Sequence, residues 1–182
     1  MHIQHHTAWE TIHAMILAGP VLWLLGMGAF WRDRTGWTRM AISAMTLAAT
    51  VWSVTFVFDG FVAPNIVRWM TPQNGLYMLA VNQTVVIKCG LVSWVMLGFS
   101  IIVGSVGLLA SARSSGAKIL AWIGIPLGLW PLVAWGTGLF LPGPFTSQYW
   151  NVTAVSTAFW FLAIGIQLLA TAAPQDLTEL AS

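Results

Sequence analysis

The sequence predicts an all-α, polytopic integral membrane bundle of five transmembrane helices, N-terminus extracytoplasmic and C-terminus cytoplasmic. Three observations lead there. Hydrophobic residues make up 58% of the 182, and charged residues only 7%. A soluble domain carries roughly a quarter charged residues, so lipid must cover most of this surface. Five apolar runs are long enough to cross about 30 Å of hydrocarbon as helix. They cover roughly 12–31, 39–58, 85–110, 119–141 and 151–173, within one membrane domain, 1–182. Third, the basic residues gather in alternate loops. The runs lack the alternation of a barrel strand, and lipid admits only helices or closed barrels.

The first run follows "MHIQHHTAWETIH", which holds all four histidines of the chain. The start lacks a basic n-region and a clear small-residue cleavage site, so no cleaved signal peptide is expected. After the first run comes "RDRTGWTR", with Arg32, Arg34 and Arg39. After the third comes "SARSSGAK", with Arg113 and Lys118. An alternating path puts both loops on one side, with five of the seven Lys and Arg residues. The positive-inside rule makes that side cytoplasmic, and the expected location is the bacterial inner membrane. The net charge of +2 gives no reason to expect nucleic acid. The lone Cys89 allows no intrachain disulfide and reads as a packing residue.

The second run ends at "DGFVAPN". Gly60 permits a tight turn and Pro64 is expected to stop the helix from continuing, opening an extracytoplasmic connection over 59–84. "VRWMTPQNG" reads as a short interfacial stretch, with Pro72, Asn74 and Gly75 as breakers. From Leu76 to Ala110 no strong breaker occurs, so the third helix should project above the hydrocarbon. Lys88 then sits near the outer boundary and snorkels outward. In the fourth run "GIPLG" spaces Gly124 and Gly128 four residues apart, and Ser100 precedes Gly104 by the same interval. That spacing lets helix backbones approach closely. Pro20, Pro126 and Pro131 are expected to kink their helices. The twelve tryptophans divide between boundary anchors and side chains filling space between helices.

Few residues can do chemistry. On a helix extended back through the tail, His2, His6, Glu10 and His13 share one stripe. Imidazole and carboxylate donors suit zinc or copper, with His6, Glu10 and His13 as the metal candidates. The alternatives are a pH-responsive His/Glu group and a solvated helix start. Glu10 and His13 lie where the apolar run begins, and ionisable groups there face protein, partner or water. Asp59 lies on the same outer side, and a salt bridge to Arg68 or Lys88 is its simplest role. Glu10, His13, Asp59, Arg68, Asn82, Gln83 and Lys88 could together form one polar site. "DGFVAPN", followed by Asn82 and Gln83, resembles small uncharacterised bacterial multi-span membrane proteins with an Asp-Gly-Phe-Val-x-Pro turn after the second span. The resemblance covers roughly 50–110 and implies a multi-helix membrane fold, with no activity or cofactor.

Three function classes follow. The first is a membrane protein binding a small ligand, lipid headgroup or metal at its outer face, or acting as an accessory subunit of a membrane complex. The bilayer, further copies and a membrane-complex partner are its expected neighbours. The second is a transporter or channel subunit, for which no charge lies at a midplane position. The third is a metal- or haem-dependent redox protein. Haem is disfavoured because all four histidines lie on one segment, which leaves His13 with Met70 or Met78 as the remaining axial pair. No Cys-x-x-Cys, glycine-rich phosphate loop or serine triad is visible, so catalysis has no motif behind it.

Overall fold

In the computed structural model the backbone is described over 6–30, 36–112, 114–140 and 147–179, with side chains described there except 6–7, 23–30, 147–149 and 168–179. These residues are helical almost throughout. The elements are α1 (His6–Phe30), α2 (Gly36–Val57), a π-helical turn (Phe58–Val62), α3 (Ala63–Trp69), α4 (Pro72–Ser111), α5 (Ser115–Phe140) and α6 (Ser147–Glu179). Among the described residues, three stretches are long and apolar enough to cross a membrane: Gly36–Trp69, Pro72–Ser111 and Ser115–Phe140. Arg32, Arg34 and Arg113 of the basic loops, and most of "PGPFTSQYW", lie outside the described residues.

The region expected to be a connection is almost wholly helical. α2 runs through the π turn into α3 as one 34-residue helix. Pro64 does not end it: it falls in the first turn of α3, directly after the π turn, and the helical backbone runs through it. The actual break is at Met70 and Thr71, both extended at ψ near 150°. Thr71 precedes Pro72, and the proline ring disfavours helical geometry at that position. Pro72 then opens α4, so Asn74 and Gly75 lie inside the helix and are not breakers. Pro20 likewise lies within α1, and Pro126 and Pro131 within α5, without ending either helix.

α4 is the spine. One face runs antiparallel along α2, the π turn and α3. Gly107 meets Trp37, and the Ser100 hydroxyl donates to the Ala41 carbonyl at 2.8 Å. Further out, Gln83 meets Asp59, and Gly75 lies against Ile66 and Met70. The opposite face meets α5 through glycine. A Cβ on Gly98 would stand 2.5 Å from the Gly128 carbonyl oxygen, and one on Gly128 would stand 2.6 Å from the Gly98 oxygen. A Cβ on Gly124 would overlap Ser105 Oγ and approach Trp160 of α6 at 2.7 Å. The expected close approach through Gly124 and Gly128 is therefore present. It brings Trp52, Trp94, Trp135 and Trp150 of four helices together, with neighbouring ring centroids 4.9–6.1 Å apart. Met45, Leu91, Leu97 and Ile101 complete this core. Trp122 and Trp130 are exposed on α5, as expected of residues facing lipid.

Gly128→Ala should lower stability by about 1–3 kcal/mol, because backbone on the facing helix cannot step aside. Gly136→Ala is the control. Its Cβ would meet Val95 Cγ2 at an ordinary 3.9 Å, so it should be neutral or gain up to about 1 kcal/mol from helix propensity. Reversible unfolding in detergent micelles measures both.

Candidate functional site

The site begins with a backbone irregularity. In the π turn the Ala63 N–H reaches back five residues to the Phe58 carbonyl. The extra residue per turn swings Asp59 and Gly60 out of α-helical register, a distortion often found at functional positions. The next bond of the same pattern would join residue 64 to the Asp59 carbonyl, but Pro64 has no N–H. That carbonyl instead accepts the indole N–H of Trp9 on α1, at 3.0 Å.

One helical turn after Trp9 stands His13. Its rings and those of Trp9 have centroids 4.4 Å apart. Gly60 lets it come this close: a Cβ there would overlap His13 Cβ and lie 2.7 Å from its Cγ. His13 is 7% exposed, and it is the one buried side chain among the described residues 8–22 of α1. Its Nδ1 lies 2.9 Å from the Trp9 carbonyl, and its Nε2 lies 3.2 Å from Asp59 Oδ2. Gln83 of α4 donates to the other carboxylate oxygen, Oδ1, at 3.4 Å.

Both ring nitrogens of His13 face acceptors. Neutral imidazole has one N–H, which can point from Nδ1 to the Trp9 carbonyl or from Nε2 to the Asp59 carboxylate, and imidazolium donates to both. The Asp59 side chain is 28% exposed, so water or a ligand can reach the carboxylate from outside.

The structure sorts the other expected site residues. Asp59 pairs with neither Arg68 nor Lys88, the partners expected for it. Arg68 is exposed in the last turn of α3. The Lys88 ammonium donates to the carbonyls of Leu139 at 3.0 Å and Gly138 at 3.5 Å. It caps the C-terminus of α5, where unpaired carbonyls and the helix dipole favour a cation. Asn82 is buried beside Gln83, and its amide makes no hydrogen bond among the described residues. Glu10 is half-buried on α1, three residues before His13. The His6 side chain and all of His2 and His5 lie outside the described residues. Among the described residues no three His, Cys, Asp or Glu side chains gather as a metal site. A shallow groove lined by Trp69, Asn74 and Tyr77 sits at the α3–α4 turn, about 15 Å of helix rise beyond Asp59.

Sequence reasoning left Trp9 and Gly60 out of the site. Both leave a signal in hindsight. Trp9 precedes His13 by four residues and so shares its face, and Gly60 stands beside the one acidic residue of its segment. Compared with protein-family models, with curated proteins and with solved structures, the chain matches none.

His13→Ala and Gly60→Ala should each destabilise by about 1–3 kcal/mol, the range for leaving a buried polar group without its partner. Because both act on the same contact, the double variant should lose little more than the worse single one. Unfolding in micelles measures the cycle, and fully additive losses would show that Gly60 does not act through His13.

Proposed function

We propose that this is a multi-span integral protein of the bacterial inner membrane that binds a small ligand at its extracytoplasmic end. It acts as a binding protein or as an accessory subunit of a membrane complex. α1 and α6 complete five spans with the three long apolar stretches. The basic loops, with Arg39 and Lys118 at their helix ends, lie in the cytoplasm. The opposite end then carries His13, Asp59 and Gln83.

The observation that carries this reading is the His13–Asp59 pair at 3.2 Å, joined by Gln83 and half-open to solvent on the Asp59 side. An ionisable pair near the end of apolar helices is costly, and such residues generally serve a function. Asp59 offers carboxylate lone pairs outward, so the suitable ligand is a cation or a hydrogen-bond donor: a metal ion, a primary amine or an amine-bearing lipid headgroup.

Orientation can be checked in a Cys89→Ser background. Gln73→Cys should react with an impermeant maleimide in spheroplasts, and Ser115→Cys only after permeabilisation. The reverse pattern would invert the topology. For binding, Zn(II), Cu(II) and phosphoethanolamine should be screened by thermal shift on purified protein. At least one should raise the Tm of the parent and not of Asp59→Asn. A panel without any Asp59-dependent stabilisation would remove the ligand-binding reading.

A further inference from the structure

The α3–α4 hairpin stands well beyond the end of α5. Lys88 meets the last carbonyls of α5, and about 24 Å of helix rise separate Lys88 from Pro72, where α4 begins. In bulk water a hairpin of that reach should carry polar side chains. This one is aromatic and apolar on its outside: Trp69 is 76% exposed, Leu76 71% and Tyr77 71%. Exposed apolar side chains also continue from the long helices toward it, Val57 and Val67 on α2 and α3, Ile87 and Val81 on α4. Such a patch marks a surface covered by protein or by lipid.

Length and charge favour lipid. Trp37 and Trp69 stand exposed at the two ends of the 34-residue helix, roughly 48 Å apart along its axis. A bilayer with its headgroups measures about 40–45 Å. A tilt of about 20°, the average for membrane helices, brings both indoles to headgroup level. Trp and Tyr are enriched at that level, because their rings are apolar and their N–H or O–H is polar. The Trp69 N–H donates to Asn65 Oδ1 at 3.2 Å, and Asn65 donates to the Phe61 carbonyl at 2.7 Å, which holds the ring on the helix surface. From Gly60 to Ile87 the one charged side chain is Arg68, and it is exposed. Thr71, Gln73 and Asn74 in the groove at the tip add uncharged donors. Donors and a cation without an acid suit the phosphodiester of a lipid headgroup. A second copy meeting the same hairpin about a two-fold axis would bring no carboxylate to Arg68.

We propose that the α3–α4 hairpin is seated in the phospholipid headgroup layer, with Trp69 and Tyr77 at the interface and the Arg68 guanidinium on a lipid phosphodiester. The seating shares with the proposed function only the multi-span reading, and it holds in either leaflet.

The full chain, with Cys89→Ser and a nitroxide at Leu76→Cys, can be placed in nanodiscs of phosphatidylglycerol. Power-saturation electron spin resonance reads collisions of the label with oxygen, which concentrates in lipid, and with a nickel chelate, which stays in water. Ile123→Cys, 51% exposed within α5, gives the lipid reference, and free nitroxide in buffer gives the water reference. The oxygen-to-nickel ratio at Leu76→Cys should lie above the buffer value and below that at Ile123→Cys. A ratio at the buffer value would put the hairpin in water. Low collision with both reagents would put it under protein, a second copy or another chain. Either result overturns the seating. The phosphodiester is tested by changing the lipid to digalactosyl diacylglycerol, whose headgroup has no phosphate. The parent ratio should fall in the galactolipid, and Arg68→Gln should read the same in both lipids. A parent indifferent to the lipid would overturn the phosphodiester contact, as would an Arg68→Gln variant that still distinguishes them. None of these results moves the Asp59-dependent stabilisation by ligand, so the hairpin and the Asp59 site can fail separately.

Discussion

The end of the bundle that holds His13 and Asp59 is organised around one backbone carbonyl, that of Asp59, which accepts from an indole on another helix. Proline at residue 64 withholds the N–H that would return to Asp59 in the π-turn pattern. The nearest substitute is an indole on another helix, Trp9, at 3.0 Å. Once Trp9 is fixed there, helical geometry puts His13 one turn further along on the same face. The missing side chain at Gly60 admits its ring, and the π turn presents the Asp59 carboxylate to Nε2. The Trp9 bond and the His13–Asp59 contact thus join α1 to the π turn, alongside its packing on α2. Burying such a pair costs desolvation, which the neighbouring Gln83 and the remaining exposure of Asp59 reduce.

The rest of the bundle is arranged by a different constraint, close approach between backbones. Lipid tails are as apolar as the side chains they would replace, so helices associate through packing and not through hydrophobic transfer. Gly98, Gly124 and Gly128 supply that packing between α4 and α5, and Ser100 ties α4 to α2. α4 is held on two sides and can be straight and long. Its N-terminal half carries Gln83 to Asp59, and Lys88 to the end of α5. The α4 contacts that build the core therefore also set the height at which the polar groups meet.

Much of this was legible in the residues. The all-helical membrane character followed from composition, the contacts of Gly124 and Gly128 from four-residue spacing, and the length of α4 from the absence of breakers after Leu76. The helical course of "DGFVAPN" was not legible. Asp-Gly and Pro are turn-formers in water, but a carbonyl left open by a turn within an apolar bundle needs another donor, and a π turn keeps most bonds within the chain. Its sequence does not announce the Trp9 indole that completes the count. The partner of Asp59 is not legible for a related reason. Charge alone favours Arg68 and Lys88 over a histidine, because their full positive charge attracts a carboxylate more strongly. Lys88 instead answers the bare carbonyls at the end of α5, a demand that becomes visible only when α5 is laid beside α4. What His13 touches depends on the irregular backbone opposite, which the residue pattern does not show.

The distribution of hydroxyls bears on why function is sought at the end of the bundle and not along its axis. A path through the midplane needs polar groups turned toward a shared lumen. Here the Ser and Thr hydroxyls of the helix interiors mostly fold back on their own helices. Ser43, Thr50, Ser53 and Thr55 donate to the carbonyls four residues earlier on α2, Ser93 does so on α4, and Ser156 on α6. Such bonds satisfy the hydroxyl locally and leave it little capacity to coordinate a passing ion. At the same depth the tryptophan group of α2, α4, α5 and α6 fills the space between helices. Some polar side chains do reach between helices: Ser100 from α4 to α2, Trp160 from α6 to α5, and at one end His13 from α1 and Gln83 from α4 to Asp59 of the π turn. Polar groups that bridge elements can couple a change in ligation to a change in packing. Among these bridges His13–Asp59 is the one between two ionisable side chains.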